Sequence, residues 1–268
     1  MPQETIIRIE GFDRLTEIDQ DISFDNFTIR FAENSCIISY LNNYLLLNNY
    51  QLEWILSMLE MFFQYPIINN VLLIRSNFSI SDFNTLVQNF LFFKTRYDNP
   101  VVRNTDDYNT KIIPYLYAIE WHHKAHKVFD IWATFSFLSL LTALDALNGN
   151  NERTVGRDFK ALIRKYNSAI TQAQAQRLYK LYRCKIVHQG IQLPHDVTHR
   201  TLERNEDGVP PRQVTEIFAN ENGSIQTRQS QMNQNIVGDI TYNYLYKIVS
   251  NCLIGYLADY VSENGGLT

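Results

Sequence analysis

Short runs of alternating hydrophobic and polar residues predict strands near the start of the chain. Three of these runs are rich in β-branched and aromatic side chains, which suit a pleated, half-buried surface. A fourth run is almost entirely apolar and predicts a short buried strand. The predicted strands cover residues 5–9, 24–31, 36–40 and 71–74.

Longer segments repeat their hydrophobic residues at helical spacing. Pro66 ends the first of these segments, and Ser79 and Ser81 are candidate N-caps for the second. The breaker sequence NGNN at residues 148–151 ends a later apolar stretch. The predicted helices cover residues 50–65, 79–97, 112–128, 129–147, 157–166, 170–187 and 236–261.

The order of these elements predicts an α+β protein with two parts. The polar, turn-like sequence DNPVVRNTDDYNT at residues 98–110 separates them. Residues 1–110 form a predicted mixed α/β domain, for which we expect a sensory or regulatory role. Residues 111–268 form a predicted all-helical domain. Within it, residues 190–235 are polar and interrupted by proline and glycine, which is typical of a lid, a hairpin or a long loop.

The charge of the chain is distributed unevenly. The net charge is −4, but residues 1–110 sum to −7 and residues 111–268 sum to +3. Between residues 153 and 185, nine basic residues accompany a single acidic residue, Asp158. A local excess of this kind suits a polyanion such as RNA, and a solvated helical surface without a ligand is the alternative. The candidate RNA-binding residues are Arg164, Lys165, Arg177 and Lys180.

Several classes of protein are not indicated by the sequence. The N-terminal sequence MPQETIIRIEGF has no basic start followed by an apolar run, so we expect no export. The most apolar segment, residues 131–144, is shorter than the roughly 18 residues that a bilayer span requires. Cys36, Cys184 and Cys252 lie far apart, without the spacing of a zinc site or a disulfide framework. We therefore expect a cytoplasmic protein without membrane contact, bound metal or cofactor.

The sequence LYRCKIVHQG, residues 181–190, combines an arginine and a histidine near the end of a predicted helix. Arg183 carries a permanent charge on a planar fork that suits phosphate, and His188 can exchange a proton near neutral pH. Together they can cleave RNA without a metal ion. His188 would move the proton of a ribose 2′-hydroxyl or of the leaving oxygen, while Arg183 would stabilise charge on the phosphate. Alternatively, Arg183 pairs with a carboxylate such as Asp145, and His188 caps the helix end.

The spacing of Arg183 and His188 limits how they could act together. On one continuous helix, five residues turn the chain by about 500°, so the two side chains point about 140° apart. They can share a phosphate if the helix ends between them, and Gly190 is typical of such a helix end. They can also do so if a second copy of the chain completes the site. The sequence therefore predicts a homodimer with a composite active site.

LYRCKIVHQG resembles the signature of the HEPN superfamily (higher eukaryotes and prokaryotes nucleotide-binding), in which an arginine is followed by four to six residues and then a histidine. It is most similar to the Apea-like branch, where a Leu-Tyr pair precedes the arginine-containing run and the run ends in Ile-Val-His-Gly. The sequence LLTALDALNG, residues 140–149, is similar to an earlier helix of that branch, with Asp145 at the position of a glutamate. The resemblance covers roughly residues 111–262.

The resemblance implies a HEPN-type helical bundle that dimerises and acts as a metal-independent endoribonuclease, in antiviral defence such as abortive infection or as a toxin. It places Arg183 and His188 at the catalytic positions, and Asp145 where it can orient one of them. RNA is then the substrate, and an antitoxin or a subunit of a defence complex is a candidate partner. Two alternatives remain: a HEPN-fold module that binds RNA or a nucleotide or dimerises without cutting, and a protein-interaction adaptor. The supporting residues beside the motif are Tyr182, Cys184 and Lys185.

A second polar cluster, EWHHKAHK at residues 120–127, contains three histidines. On a helix, His122 and His126 lie at i and i+4, a spacing that can hold zinc, with Glu120 close by. The zinc-protease motif requires a glutamate directly after the first histidine, and this chain has His123 there. The sequence therefore favours an exposed polar turn over a metal site.

Overall fold

The chain combines a small antiparallel sheet with a larger set of helices. A computed structural model describes residues 4–12, 21–32, 34–41, 45–68, 70–72, 79–128, 133–148, 155–184, 213–219, 225–231 and 242–266. Those parts contain two antiparallel sheets and seven α-helices, so the predicted α+β class is confirmed.

Four strands near the start of the chain form the larger sheet: β1 (Glu4–Phe12), β2 (Asp21–Phe24), β3 (Phe27–Ala32) and β4 (Asn34–Leu41). Their order across the sheet is β1-β4-β3-β2. The sequence predicted one strand over residues 24–31, but a two-residue turn at Asp25 and Asn26 divides this segment. Asp25 has a φ of 51°, a left-handed conformation that Asp adopts more readily than most residues. The turn lets Phe24 pair directly with Phe27.

The α-helices are α1 (Leu45–Phe63), α2 (Ile80–Asp98), α3 (Ile113–Ala125), α4 (Ala133–Asn148), α5 (Val155–Tyr166), α6 (Gln172–Arg177) and α7 (Tyr242–Glu263). A π-helical turn, Tyr108–Ile112, leads into α3, and a second one, Leu178–Arg183, follows α6. Short 3-10 turns occur at Val102–Asn104 and His126–Val128. In the part of the chain that the structure describes, no helix combines the length and apolar character needed to cross a bilayer.

Two further segments bear on the predicted elements. Within the polar stretch 190–235, the strands β5 (Gln213–Ala219) and β6 (Ile225–Gln231) pair as an antiparallel hairpin, which was one of the alternatives for this stretch, so residues 111–268 are not all helical as predicted. At the predicted strand 71–74, Val71 makes two isolated bridges, a parallel one to Glu10 of β1 and an antiparallel one to Ile68. Residues 73 and 74 lie outside the described residues.

Aromatic side chains fill the space between the sheet and the first two helices. Inward-facing residues alternate along β3, where Phe27, Ile29 and Phe31 are buried. The ring centroid of Phe31 lies 5.4 Å from that of Phe83 on α2, and Phe24 lies 6.1 Å from Phe90 in the same way. The sheet is therefore attached to α2 by edge-to-face ring contacts.

The same core continues into the helices that follow residue 110. Phe93 on α2 packs its ring 4.8 Å from Tyr115 on α3 and 5.4 Å from Tyr260 on α7. Gln64, which follows α1, donates a hydrogen bond of 2.5 Å to Asn251 on α7. Helices on both sides of the predicted domain boundary therefore share buried contacts.

Phe93→Ala tests this shared core. We expect it to lower the free energy of unfolding by about 3–5 kcal/mol, because Phe93 is only 1 % exposed and touches rings from two other helices. Urea denaturation followed by tryptophan fluorescence and by circular dichroism measures the change. Ile6→Ala is the control, because Ile6 is 62 % exposed and its loss should cost no more than about 0.5 kcal/mol. Separate transitions for the two probes in the wild type would contradict a common core.

Candidate functional site

Arg183 lies at the end of a helical segment whose start is fixed by a capping box. Thr171 Oγ1 accepts a hydrogen bond of 3.2 Å from the backbone N–H of Gln174, and Gln174 Oε1 accepts one of 2.9 Å from the backbone N–H of Thr171. This reciprocal pair satisfies two backbone donors at the first turn of α6. After Arg177 the helix widens into the π-helical turn Leu178–Arg183. Such turns are rare and frequently occur at functional sites.

Asp145 on α4 is a hydrogen-bond partner of Arg183. Arg183 Nε donates a hydrogen bond of 3.0 Å to Asp145 Oδ2. The Arg183 side chain is 18 % exposed and that of Asp145 is 27 % exposed. Burial opposes the charge on the guanidinium, but the hydrogen bond and the charge of Asp145 raise the pKa of Arg183 above its ordinary value. The arginine therefore stays charged, and it joins the two helical segments that carry the sequence motifs.

The ring of Tyr179 faces the guanidinium group of Arg183. Arg183 Cζ lies 5.5 Å from the Tyr179 ring centroid, within the range of a cation–π attraction. Phe159 on α5 packs its own ring 5.6 Å from that of Tyr179. Gly156 makes room for this arrangement, because a β-carbon there would lie 2.7 Å from the Tyr179 ring. Tyr179 is thus held between α5 and Arg183 and limits the positions that the guanidinium can take.

Other residues of the predicted motif are described less fully. His188 and Lys185 lie outside the described residues, and so does the side chain of Tyr182. Cys184 follows Arg183 in a helical conformation and is half-buried. The pairing of Arg183 with His188, and the composite site of a dimer, therefore stay predictions.

The predicted RNA-binding residues lie on or next to α5 and α6. Arg164, Lys165 and Lys180 are exposed, and Arg177 is half-buried. Arg164 donates a hydrogen bond of 3.1 Å to the side chain of Gln172, a neutral group that does not cancel its charge. Lys165 instead forms an ion pair of 2.5 Å with Asp259 on α7. The exposed charge that could meet a polyanion is therefore greatest at Arg164 and Lys180.

The histidines of residues 120–127 do not form an exposed polar turn, contrary to the sequence prediction. His122 and His123 lie on α3 and are buried. Each ring has a polar partner from another helix, which offsets the cost of burying it. His123 Nδ1 lies 2.7 Å from Glu60 Oε2 of α1, and His122 Nε2 lies 3.0 Å from Ser250 Oγ of α7. Within the described residues, no group of three or more His, Cys, Asp and Glu side chains is arranged to hold a metal ion.

Glu60 was not among the predicted site residues, although the sequence contains one indication that it is a buried carboxylate. It is the only acidic residue in the run SMLEMFF, where the helical period places core positions. A carboxylate at such a position needs buried hydrogen-bond donors, and histidine is a side chain that can supply them. The histidines of residues 120–127 were therefore candidates for its partner.

No protein-family model matches the chain, and no curated protein or solved structure matches it either. The HEPN resemblance thus depends on residues 140–149 and 181–190. In the described geometry, Arg183 and Asp145, one from each of these segments, share a hydrogen bond.

Gly156→Ala tests the packing around Tyr179. We expect the added methyl group to lower the free energy of unfolding by about 1–3 kcal/mol, because it overpacks the contact with the ring. In a Tyr179→Ala background the same substitution should cost less, or even stabilise the helix by up to about 1 kcal/mol, since alanine is the better helix former. Urea denaturation of the four proteins gives the coupling. An equal effect in both backgrounds would show that Gly156 and Tyr179 do not interact.

Proposed function

We propose that the chain is a metal-independent endoribonuclease of the HEPN type, acting in antiviral defence or as a toxin. The observation that carries the proposal is the hydrogen bond from Arg183 to Asp145. It joins the two segments that resemble HEPN motifs, although they lie 38 residues apart. A permanently charged and oriented guanidinium is the group that stabilisation of a phosphate transition state requires.

In the proposed reaction, the 2′-oxygen of a ribose attacks the adjacent phosphorus, and the bond from phosphorus to the 5′-oxygen breaks. The 2′-hydroxyl loses a proton and the leaving 5′-oxygen gains one; in the composite site of the proposed dimer, His188 of one copy performs one of these transfers and His188 of the second copy performs the other. Arg183 stabilises the negative charge that builds on the phosphate oxygens. The products are a 2′,3′-cyclic phosphate and a 5′-hydroxyl, and neither a divalent cation nor a water molecule enters this step.

Asp145 and Tyr179 are positioning residues in this proposal. Asp145 holds Nε of Arg183 at 3.0 Å, and the Tyr179 ring faces the guanidinium. Two fixed contacts leave the arginine fewer rotamers, so less conformational freedom is lost when it meets a phosphate. The exposed charges of Arg164 and Lys180 extend the positive surface along the RNA backbone.

The same hydrogen bond also favours a second candidate function, an RNA- or nucleotide-binding module that does not cut. An arginine engaged by a carboxylate and 18 % exposed can serve to hold two helices together. This module would retain RNA through the basic surface of α5 and α6. It differs from the first proposal in one measurable respect, because it produces no new RNA ends.

Arg183→Ala and His188→Ala separate the two candidates. For the endoribonuclease we expect each substitution to reduce cleavage of total RNA by at least about 100-fold, because each removes a group that acts on the reacting phosphate. Purified proteins are incubated with RNA, and the fragments are separated on a denaturing gel. Arg157→Ala is the control, since that arginine also lies on the basic surface but its side chain is 78 % exposed. Binding without fragments in the wild type would support the second candidate.

The ends of the RNA fragments and the effect of a chelator test the chemistry. We expect cleavage to be unchanged in EDTA, because the proposed step uses only side chains of the protein. The fragments should carry 5′-hydroxyl groups that polynucleotide kinase labels without prior phosphatase treatment. Loss of cleavage in EDTA that Mg²⁺ restores, or fragments with 5′-phosphate ends, would contradict the mechanism.

A further inference from the structure

Glu60 and three histidines form a buried cluster where α1, α3 and α7 meet. None of the Glu60 side chain and 5 % of the His123 side chain is exposed. Glu60 Oε2 lies 2.7 Å from His123 Nδ1, and Glu60 Oε1 accepts a hydrogen bond of 3.0 Å from the backbone N–H of Ile67. His126 Nδ1 lies 3.5 Å from the same Oε1 atom. The carboxylate therefore faces two imidazoles directly.

The hydrogen bonds of His122 fix which of its ring nitrogens carries the proton. The Ser250 hydroxyl donates to the backbone oxygen of Tyr246 at 2.9 Å, so its oxygen accepts from His122 Nε2 at 3.0 Å. Nε2 is then the protonated nitrogen, and Nδ1 is the one that would take up a further proton. His122 Nδ1 is buried and has no hydrogen-bond partner among the described residues. A second proton on this ring would therefore be a buried, uncompensated charge.

A single carboxylate can neutralise only one positive charge in this cluster. Of the polar and titratable groups described around it, Glu60 is the single carboxylate; it faces His123 and His126, whereas His122 contacts Ser250 instead. Burial and the neighbouring imidazoles lower the pKa of His122 well below its ordinary value. Burial also lowers the pKa of His126, although the charge of Glu60 opposes this. The groups that face the cluster are Glu60 of α1, His122 and His123 of α3, His126 and Lys127 of the following turn, Ser136 of α4, and Tyr242, Tyr246 and Ser250 of α7.

We propose that this cluster is an acid-sensitive junction, which releases α3 from α1 and α7 when His122 and His126 take up protons. The contact of α1 with α3 and α7 is one of those through which the first part of the chain packs against the later helices. The inference goes beyond the proposed function and does not depend on it.

The direction of the effect follows from proton linkage. Both imidazoles bind protons less readily when buried than when exposed, where the pKa of histidine is about 6.5. The closed junction is therefore fully stable above about pH 6.5 and loses stability as the pH falls below that value. Each proton taken up on opening changes the opening equilibrium by up to about tenfold per pH unit, so two protons change it by up to about 100-fold.

Amide hydrogen exchange of the full chain tests the proposal, measured between about pH 7.5 and about pH 5 and corrected for intrinsic exchange rates. We expect the opening equilibrium of α3, and of the facing turns of α1 and α7, to rise as the pH falls below about 6.5, by up to about 100-fold per pH unit. Strands β3 and β4, which lie away from the cluster, should change less. An increase that is equal in all elements would show ordinary global unfolding and overturn the proposal, and so would exchange in α3 that does not respond to pH.

Variants identify the groups responsible. His122→Leu combined with His126→Gln removes both titrating rings and should flatten the pH dependence of α3. Glu120→Gln is the matched control, because Glu120 lies on the exposed face of α3 and pairs with Lys124. If the double variant does not fold, proton NMR of the wild type decides. Ring signals of His122 and His126 that titrate at the ordinary histidine pKa of about 6.5 would refute the proposal, and signals that stay neutral to lower pH would support it.

Discussion

The burial of Glu60 is the constraint on which the placement of the first helices depends. An ionised carboxylate without water costs several kcal/mol unless it receives hydrogen bonds, so α1 can pack in the interior only where donors meet it. His123 supplies one donor from α3, and the backbone of Ile67 supplies another. The contact with Ile67 positions the segment after α1, in which Val71 forms a bridge to Glu10 of β1. One carboxylate thus connects the sheet, α1 and α3.

Arg183 and Asp145 form an ion pair that also joins distant parts of the chain, but its setting differs from that of the Glu60 contact. The Glu60 contact is closed to solvent, whereas both side chains of the Arg183 contact are partly exposed. Solvent reduces the contribution of such a pair to stability. The same exposure allows a ligand to approach, which a fully buried pair cannot offer. The two pairs therefore suit opposite roles, one structural and one in a candidate site.

Periodicity was sufficient to predict most elements but not their partners. The alternation of residues 24–31 is interrupted by two adjacent polar residues, Asp25 and Asn26, which are typical of a turn, so the turn between Phe24 and Phe27 had a sequence signal that the predicted single strand ignored. The burial of His123 depends on Glu60, which lies 63 residues earlier, and no local pattern reports such a contact. Asp145 was named as a candidate partner of Arg183 because both lie in segments with a recognisable motif. The Tyr179 ring can face Arg183 because Gly156 has no side chain in its way, and this packing contact cannot be predicted from the sequence alone.

The π-helical turn Leu178–Arg183 affects how this chain aligns with homologous sequences. A π-helical turn holds one residue more than an α-helical turn, so a helix absorbs a single inserted residue there without disturbing its neighbours. Loss of one residue within Leu178–Arg183 would restore regular α-helical hydrogen bonding there, and the residues on either side of the turn would keep their orientation, including that of Arg183 toward Asp145. Homologous chains can therefore keep this arginine against α4 with or without the extra residue. A one-residue gap in an alignment, at a place where no loop exists, then marks the position of the turn and not the loss of the pairing.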